Sequence, residues 1–321
     1  MIEERSQAAA AIKDVADRVK ESIGRVIVGR DEVVELALVA LLADGHILIE
    51  DVPGIGKTTL AKTIARSVGC SFKRIQFTPD LMPSDVTGIH YYNEKSGEFE
   101  FRPGPVIANI LLADEINRAT PRTQSALLEA MEERQVTVDG VTLPLPSPFL
   151  VLATQNPIEL EGTFPLPEAQ LDRFIMRVRV GYPTEGEEDG ILLRFEVANP
   201  LDTLEPVVGA EELAQLRTLV PRVHCEPSLR SYVIAIVRAT RLHPALQLGA
   251  SPRASLMLFR AARALAAIRG RDYVLPDDVK SLAPAMLPHR LILSSEARLR
   301  GRNVDDIVAE VMAEVAVPIE A

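Results

Sequence analysis

The stretch His46-Ile-Leu-Ile-Glu-Asp-Val-Pro-Gly-Ile-Gly-Lys-Thr-Thr59 decides how this chain folds. Its first part, Ile47 to Glu50, is typical of a buried parallel strand, and its second part is a glycine loop before a helix predicted from Lys57. Gly54 and Gly56 allow a sharp turn in which several backbone N–H groups point at one anion. We therefore predict a phosphate-binding loop. It consists of Pro53, Gly54, Ile55, Gly56, Lys57, Thr58 and Thr59.

Two side chains of this loop have specific predicted roles. Lys57 is expected to reach the terminal phosphates of a nucleotide, and the Thr58 hydroxyl to bind the magnesium ion that bridges them. The strict phosphate-loop pattern requires a glycine five residues before Gly56, and this chain has Asp51 there. A Gly-Lys-Thr sequence alone also fits a surface turn before a helix. The order of strand, loop and helix favours the phosphate site.

Length and composition limit the possible classes of protein. A chain of 321 residues with 47% hydrophobic and 25% charged residues predicts about two globular domains, each with its own core. No apolar run approaches the roughly 20 residues that span a bilayer. The first five residues lack the pattern of a signal peptide, which favours a cytoplasmic location. The net charge of −10 and the 4% aromatic content argue against a nucleic-acid partner.

An acidic pair follows a second apolar strand, predicted from Ala108 to Ala113. Asp114 and Glu115 then lie at the carboxyl end of a buried parallel strand, where open α/β sheets bind ligands. Asp114 is predicted to hold the magnesium shell, and Glu115 to orient or deprotonate an attacking water. The alternative is an ordinary helix N-cap, but the βαβ spacing from the phosphate loop favours the catalytic interpretation.

A further polar side chain follows the strand predicted from Phe149 to Ala153. This strand leads into Thr154-Gln155-Asn156, so Asn156 is expected at the same edge as Asp114. There its amide would hold the attacking water or the γ-phosphate. An asparagine at a strand end is also a common turn former, and only its position beside the acidic strand favours the functional role.

These patterns together predict an α/β fold, a parallel sheet with helices on both faces. Two hairpins are inserted, one over Ile89 to Phe101 and one over Gln135 to Leu143, which turns at Asp139-Gly140. The last strand is expected from Ile175 to Val180. We predict no strand after Tyr182, so residues 1–183 would form the α/β core and residues 184–321 an all-helical lid.

Six stretches of the chain form a characteristic combination of motifs. They are Glu50-Asp-Val-Pro-Gly-Ile-Gly-Lys-Thr58, Ala113-Asp-Glu-Ile-Asn-Arg118, Gln124-Ser-Ala-Leu-Leu-Glu-Ala-Met131, Ala153-Thr-Gln-Asn-Pro157, Glu161-Gly-Thr-Phe-Pro-Leu-Pro-Glu-Ala-Gln-Leu-Asp-Arg-Phe174 and Ser251-Pro-Arg-Ala254. Together they resemble the MoxR family of AAA+ ATPases over nearly the whole chain, and the Asp51 departure is itself like that family.

The resemblance implies roles for three residues. Asn156 would be the sensor-1 residue, and Arg173 an arginine finger that acts on the nucleotide of a neighbouring subunit. Arg253 would be the sensor-2 arginine that contacts the γ-phosphate from the lid. From the residues alone, a salt bridge of Arg173 with Asp172 or Glu168 is favoured, and Arg253 is a solvated arginine at a helix start.

The resemblance also implies cofactors and partners. The protein would bind ATP and Mg²⁺ and hydrolyse ATP as a chaperone-like motor that remodels, assembles or activates a client protein. It would form a homo-oligomeric ring, usually a hexamer, and work with a partner that carries a von Willebrand factor A domain. Two alternatives are a magnesium-chelatase-type motor subunit and a low-turnover ATP-dependent switch that binds a partner.

Overall fold

The computed structural model describes residues 2–156 and 162–318. The motif residues Pro157 and Glu161 lie outside this part of the chain. The helices are α1 (Ile2–Gly24), α2 (Asp31–Leu42), α3 (Lys57–Ser67), α4 (Pro83–Thr87), α5 (Pro121–Glu133), α6 (Glu168–Leu171), α7 (Glu185–Phe195), α8 (Ala210–Leu219), α9 (Pro227–Leu242), α10 (Pro252–Ile268), α11 (Pro276–Met286), α12 (Ser295–Leu299) and α13 (Val304–Glu314). The strands are β1 (Ile47–Glu50), β2 (Phe72–Gln76), β3 (Gly88–Asn93), β4 (Glu98–Pro103), β5 (Ile110–Asp114), β6 (Gln135–Val138), β7 (Val141–Pro144), β8 (Leu150–Gln155), β9 (Met176–Val178), β10 (Leu246–Leu248) and β11 (Ile292–Leu293).

The predicted parallel sheet is confirmed. Its five strands lie in the order β2-β5-β8-β1-β9, and every neighbouring pair is parallel. The inner strands β1, β5 and β8 are almost continuously apolar and buried, as strands covered on both faces must be. We call the side where these strands end, at Glu50, Asp114 and Gln155, the carboxyl edge, and the side where they begin the amino edge.

Both predicted hairpins are present outside the main sheet. Strands β3 and β4 pair antiparallel, and so do β6 and β7, which turn at Asp139 and Gly140 with positive φ angles of 50° and 81°. The two hairpins are in contact with each other. His90 Nδ1 of the first lies 2.9 Å from an Asp139 carboxylate oxygen of the second. They therefore form one projection from the α/β part of the chain.

The C-terminal part is mainly helical, as predicted, but it contains two short strands that the sequence analysis missed. Strands β10 and β11 pair antiparallel, with Leu246 opposite Leu293. They are three and two residues long, too short to show an alternating pattern. The prediction that no strand follows Tyr182 is therefore wrong.

The sequence analysis did not predict that the two parts also share an apolar cluster. Helix α1 packs against α3 of the α/β part and against α8 and α10 of the C-terminal part. One apolar cluster consequently runs from Ile49 of β1 through Val39 of α2 to Leu258 of α10. A second cluster fills the opposite face of the sheet, beneath α5. The division at residues 183 and 184 stays a prediction.

No helix within residues 2–156 and 162–318 is long and apolar enough to cross a membrane.

Candidate active site

The predicted glycine loop forms an anion cradle at the carboxyl edge. Gly54 and Gly56 have φ angles of 87° and 86°, in the left-handed region that only glycine enters without strain. Helix α3 starts directly afterwards at Lys57, and no side chain caps its first turn. The free N–H groups of a helix start carry a partial positive charge, which suits phosphate.

Asp51 has a structural function that explains why it replaces the expected glycine. Its Oδ2 atom accepts hydrogen bonds from the backbone N–H groups of Val180 at 2.7 Å and Gly181 at 2.6 Å. Its Oδ1 atom accepts another from the N–H of Val52 at 2.9 Å. The carboxylate thus fastens the start of the loop to the segment that follows β9.

Lys57 folds back onto the loop. Its Nζ atom donates to the carbonyl oxygens of Asp51 at 2.9 Å and Val52 at 3.0 Å. Burial lowers the pKa of Lys57, and the nearby Asp114, Asp51 and Glu115 carboxylates oppose that shift. Both partners of the ammonium group are neutral carbonyls, and phosphate oxygens are stronger acceptors for a cation.

The acidic pair lies beside this loop, as predicted. Asp114 ends β5, and its Oδ1 atom accepts a hydrogen bond of 2.6 Å from the Thr154 hydroxyl. That same hydroxyl oxygen accepts the backbone N–H of Glu115 at 2.8 Å. Glu115 has a φ of 55°, a strained conformation for a residue other than glycine. Thr154 therefore holds both acids in place, although the sequence analysis gave it no role.

Strand β2 adds two side chains that the sequence analysis also missed. Arg74 donates to Asp114 Oδ2 at 2.7 Å, and the Gln76 amide donates to Glu115 Oε2 at 2.7 Å. The register pairs Gln76 with Asp114 across the sheet, which places both donors next to the acids. The signal in the sequence was weak, since two polar residues in a strand look like an exposed face.

The predicted magnesium ligands fit such an ion. Thr58 and Asp114 line one cleft of about 270 Å³ together with Lys57 and Glu115. They offer a hydroxyl and a carboxylate, the hard oxygen donors that Mg²⁺ binds. Mg²⁺ in nucleotide sites commonly uses one or two protein ligands and completes its shell with phosphate and water.

Asn156 lines the same cleft. It follows the last residue of β8, and β8 lies between β5 and β1 in the sheet. The predicted position beside Asp114 is therefore what the structure has, while its role as a sensor stays a prediction.

An apolar cleft of about 440 Å³ adjoins the cradle and shares Gly54 and Gly56 with it. The sequence analysis did not predict it, because its walls come from separate parts of the chain. Its dimensions and apolar walls suit a flat organic ring beside the phosphate site. The apolar lining is formed by Val26, Ile27, Val28, Ile55, Leu60, Val180, Tyr182, Pro183, Ile191, Leu192 and Phe195.

Arginine side chains fasten helix α7, one wall of this cleft, to the N-terminal segment. Arg30 donates to the Glu187 carboxylate at 3.3 Å and to the Gly181 carbonyl at 3.1 Å. Arg194 donates to the carbonyl oxygens of Gly24 and Ile27. The segment between α1 and α2 and the start of the C-terminal part thus close over the cleft together.

Arg173 lies on the other side of the molecule, just before β9 at the amino edge. Its side chain makes no hydrogen bond or ion pair with any residue in 2–156 or 162–318. The alternative of a salt bridge with Asp172 is not what the structure has, since the Asp172 carboxylate binds Ser251 and Arg290. Arg173 is not among the residues that line the cleft with Lys57 and Asp114 in its own chain.

Arg253 also lies at the amino edge. It forms an ion pair with Glu132, near the end of α5, where Arg134 in turn binds Asp44 just before β1. Arg253 is therefore not among the residues that line the cleft with Lys57 and Asp114, and its role as the sensor-2 arginine stays a prediction. The solvated arginine that the residues alone suggested is not found either, because its side chain is paired and only 35% exposed.

Two family models match parts of this chain. Residues 46–176 match the model of the ATPase family associated with various cellular activities (AAA), and residues 238–311 match that of the AAA lid domain. A crystal structure from Cytophaga hutchinsonii superposes with a TM-score of 0.93 at 39% identity and covers 99% of both chains.

Two relatives match over nearly the whole length. The chain is 55% identical to uncharacterized protein YeaC of Bacillus subtilis over 94% of each chain. It is 46% identical to chaperone MoxR1 of Mycobacterium tuberculosis over 96% of this chain and 84% of that one. A magnesium-chelatase subunit of Acidiphilium rubrum is more distant, with 32% identity over 68% of this chain. With the phosphate loop, the acidic pair and the lid in place, the chain belongs to the MoxR family of AAA+ ATPases.

Proposed function

We propose that this ATPase works as a ring-forming motor in which two subunits share each catalytic site. The observation that carries the proposal is the separation of the charged groups within one chain. The cradle, with Lys57 and Glu115, lies at the carboxyl edge, whereas Arg173 and Arg253 lie at the amino edge. A neighbouring subunit that docks its amino edge against this carboxyl edge would supply the missing arginines.

Within its own cleft, the chain holds the nucleotide and prepares the water. The loop N–H groups and Lys57 bind the phosphates of ATP, and the apolar cleft receives the base. Thr58 and Asp114 would hold Mg²⁺, which would neutralise negative charge on the phosphates. Thr154 and Gln76 fix Glu115, so that its carboxylate can orient and deprotonate the attacking water, with Asn156 beside it.

The neighbour's arginines would complete the charge balance. A guanidinium group stabilises the negative charge that spreads over the equatorial oxygens of the transferred phosphoryl group. Arg173 is suited to this because its side chain is uncommitted within the described residues, and Arg253 because its only described partner is Glu132. AAA+ ATPases are generally oligomers, and we propose a hexameric ring here.

The biological role that we propose is that of a chaperone-like motor in the cytoplasm. It rests on the 46% identity to a protein named as a chaperone. The client is a protein, and a second partner carries a von Willebrand factor A domain. A magnesium-chelatase-type motor is the nearer alternative, supported by the relative from Acidiphilium rubrum. Binding of an adhesion-type domain that carries a metal site favours the first role, and stimulation by a chelatase partner the second.

A mixing experiment tests the shared site. Arg173→Ala should bind ATP normally but hydrolyse it about 10³-fold more slowly, a loss of roughly 4 kcal/mol of transition-state stabilisation. Glu115→Gln should be similarly inactive. In mixed rings, an intact Glu115 meets an intact Arg173 at some interfaces, so turnover should return when the two variants are combined.

The controls separate subunit sharing from other effects. Arg179→Ala removes an exposed arginine of the same segment that pairs with Asp305, and it should keep nearly normal turnover. Rings crosslinked before mixing should stay inactive. If sedimentation shows mixed rings and turnover does not return, the shared-site proposal is wrong. A low-turnover switch would show slow hydrolysis in the native protein with or without partners.

A further inference from the structure

Arg290, a buried arginine of the C-terminal part, binds the segment that carries Arg173. Arg290 follows α11, and its side chain is only 1% exposed. Its Nε atom donates to Asp172 Oδ1 at 2.8 Å. Its other N–H groups donate to the carbonyl oxygens of Asp172, Phe174, Ile175 and Met286.

These contacts use the whole guanidinium group. It has five N–H donors, and each finds an oxygen acceptor, which is the condition under which a buried charge is tolerated. Burial lowers the pKa of Arg290 to about 10, and Asp172 opposes the shift, so the side chain stays charged at neutral pH. His289 adds a contact of 3.0 Å to the Phe174 carbonyl. The backbone on both sides of Arg173 is therefore fixed to the C-terminal part.

The Asp172 carboxylate also binds the segment that carries Arg253. Asp172 Oδ2 accepts a hydrogen bond of 2.8 Å from the Ser251 hydroxyl. Ser251 is the N-cap residue of α10, two positions before Arg253. Asp172 thus joins the backbone of Arg173, the start of α10 and Arg290 in one cluster, which we call the Asp172 cluster.

We propose that Arg290 is a positioning residue that, through Asp172, holds Arg173 and Arg253 as one rigid unit facing the nucleotide of the adjoining subunit. The inference rests on the proposed function, because it takes both arginines to act across the interface. A displacement of about 1 Å in a positioned group can cost roughly 100-fold in rate. The orientation of the lid in one subunit would therefore set the hydrolysis rate in the next.

The variant Arg290→Lys tests this. Lysine keeps the positive charge but has three donors instead of five, so it cannot hold both the carboxylate and the carbonyls. We expect kcat to fall by about 10- to 100-fold, while the dissociation constant for ATP changes less than about twofold, because the cradle of the same chain is remote. Mixing with Glu115→Gln should restore turnover, since those subunits carry an intact Asp172 cluster.

A double variant separates positioning from general stability. If Arg290 acts through Arg173, the double variant Arg173→Ala/Arg290→Lys should turn over no more slowly than Arg173→Ala alone. Arg271→Lys is the matched control, since Arg271 pairs with the buried Asp278 of the same part at 2.6 Å without touching the Asp172 cluster. Its kcat should stay near normal. If Arg290→Lys does not fold, the same measurements of kcat and ATP binding are made on Asp172→Asn.

The outcomes distinguish this inference from the proposed function. If Arg173→Ala keeps its turnover, the shared site itself is wrong and the inference falls with it. If Arg173→Ala is slow but Arg290→Lys has a normal kcat, only the inference is wrong. The inference is also wrong if the losses of kcat caused by Arg173→Ala and Arg290→Lys multiply in the double variant. It is equally wrong if Arg290→Lys weakens ATP binding in its own cradle, since either result would show a general structural role.

Discussion

The two edges of the central sheet hold their charged side chains in opposite ways. At the carboxyl edge, Lys57 rests on two neutral carbonyls and Asp114 on Arg74, whose side chain is 46% exposed. At the amino edge, Arg290 and His289 are buried, and Arg290 has every donor occupied. A nucleotide can replace the partners of Lys57 and Asp114, so we call the carboxyl edge the exchangeable edge. The buried partners of Arg290 cannot be replaced in this way, so we call the amino edge the fixed edge.

This difference follows from what each edge has to do in the proposed cycle. A cradle must exchange its partners every time nucleotide binds and leaves, so weak, solvated contacts are adequate there. A group that stabilises a transition state on a neighbour must already be in place, because reorganisation at the moment of reaction costs rate. The contrast between an exchangeable edge and a fixed edge can be tested from both sides.

At the exchangeable edge, two substitutions should have large but different effects on ATP binding and hydrolysis. Lys57→Ala should abolish tight ATP binding, because it removes the fixed positive charge beside the β- and γ-phosphates. Glu115→Gln keeps the loop and Asp114, so ATP should bind normally while hydrolysis falls by about 100-fold or more, the range of general-base function. Calorimetric ATP titration and a turnover assay separate the two. Equal loss of binding in both variants would contradict the assigned roles.

The sequence predicted the exchangeable edge well because its signals are local. The glycine loop, Asp114-Glu115 and Asn156 each follow a strand that its apolar run identifies, and parallel strands bring their ends together. The fixed edge has no local signal. Its contacts join Asp172, Ser251 and Arg290, which are up to 118 positions apart, and no periodicity reports such a contact.

The same reason explains what else the sequence analysis did not predict. The motif of Arg253 says nothing about where α10 packs, so its ion pair with Glu132 at the amino edge could not be foreseen. The apolar cleft was missed because Val28, Tyr182 and Leu192 meet only after α7 folds over the loop. Asp51 looked like a departure from a pattern, and only its bonds to Val180 and Gly181 show what it does.

A smaller effect should come from Asp51, which is the rigid part of the exchangeable edge. Asp51→Gly restores the strict phosphate-loop pattern but removes three hydrogen bonds accepted by a carboxylate. Such bonds contribute about 1.5 to 3 kcal/mol each, and water recovers part of that, so we expect roughly tenfold weaker ATP binding and a lower melting temperature. Asp51→Asn keeps the shape of the side chain, so its ATP affinity and melting temperature should lie between those of the native protein and of Asp51→Gly. Tighter ATP binding by the glycine variant would show that the carboxylate does not fasten the loop.

The smallest expected effect is a pH dependence of stability that arises at the fixed edge. His46 Nδ1 accepts the backbone N–H of Val151 at 2.9 Å, so its Nε2–H must donate to the Met131 carbonyl, and the ring is neutral. Burial, and then the positive charge of Arg134, put the pKa of His46 well below its usual value. Burial and the adjacent Arg290 do the same to the pKa of His289.

The sign of the effect follows from which state binds the proton. Above pH 6.5 both histidines are neutral in the folded and unfolded chains, so they make no difference to stability there. Below pH 6.5 the unfolded chain binds protons that the folded chain does not bind. The free energy of unfolding therefore falls with decreasing pH, by roughly 1 kcal/mol per pH unit for each histidine.

Urea unfolding between pH 7.5 and 5.5 should show this slope. His46→Asn keeps an acceptor for Val151 but cannot titrate, and it should remove about half of the slope. If the variant and the native chain lose stability in parallel, buried histidines at the fixed edge are not the cause. A loss confined to pH values below about 5 would instead indicate carboxylates, which titrate there.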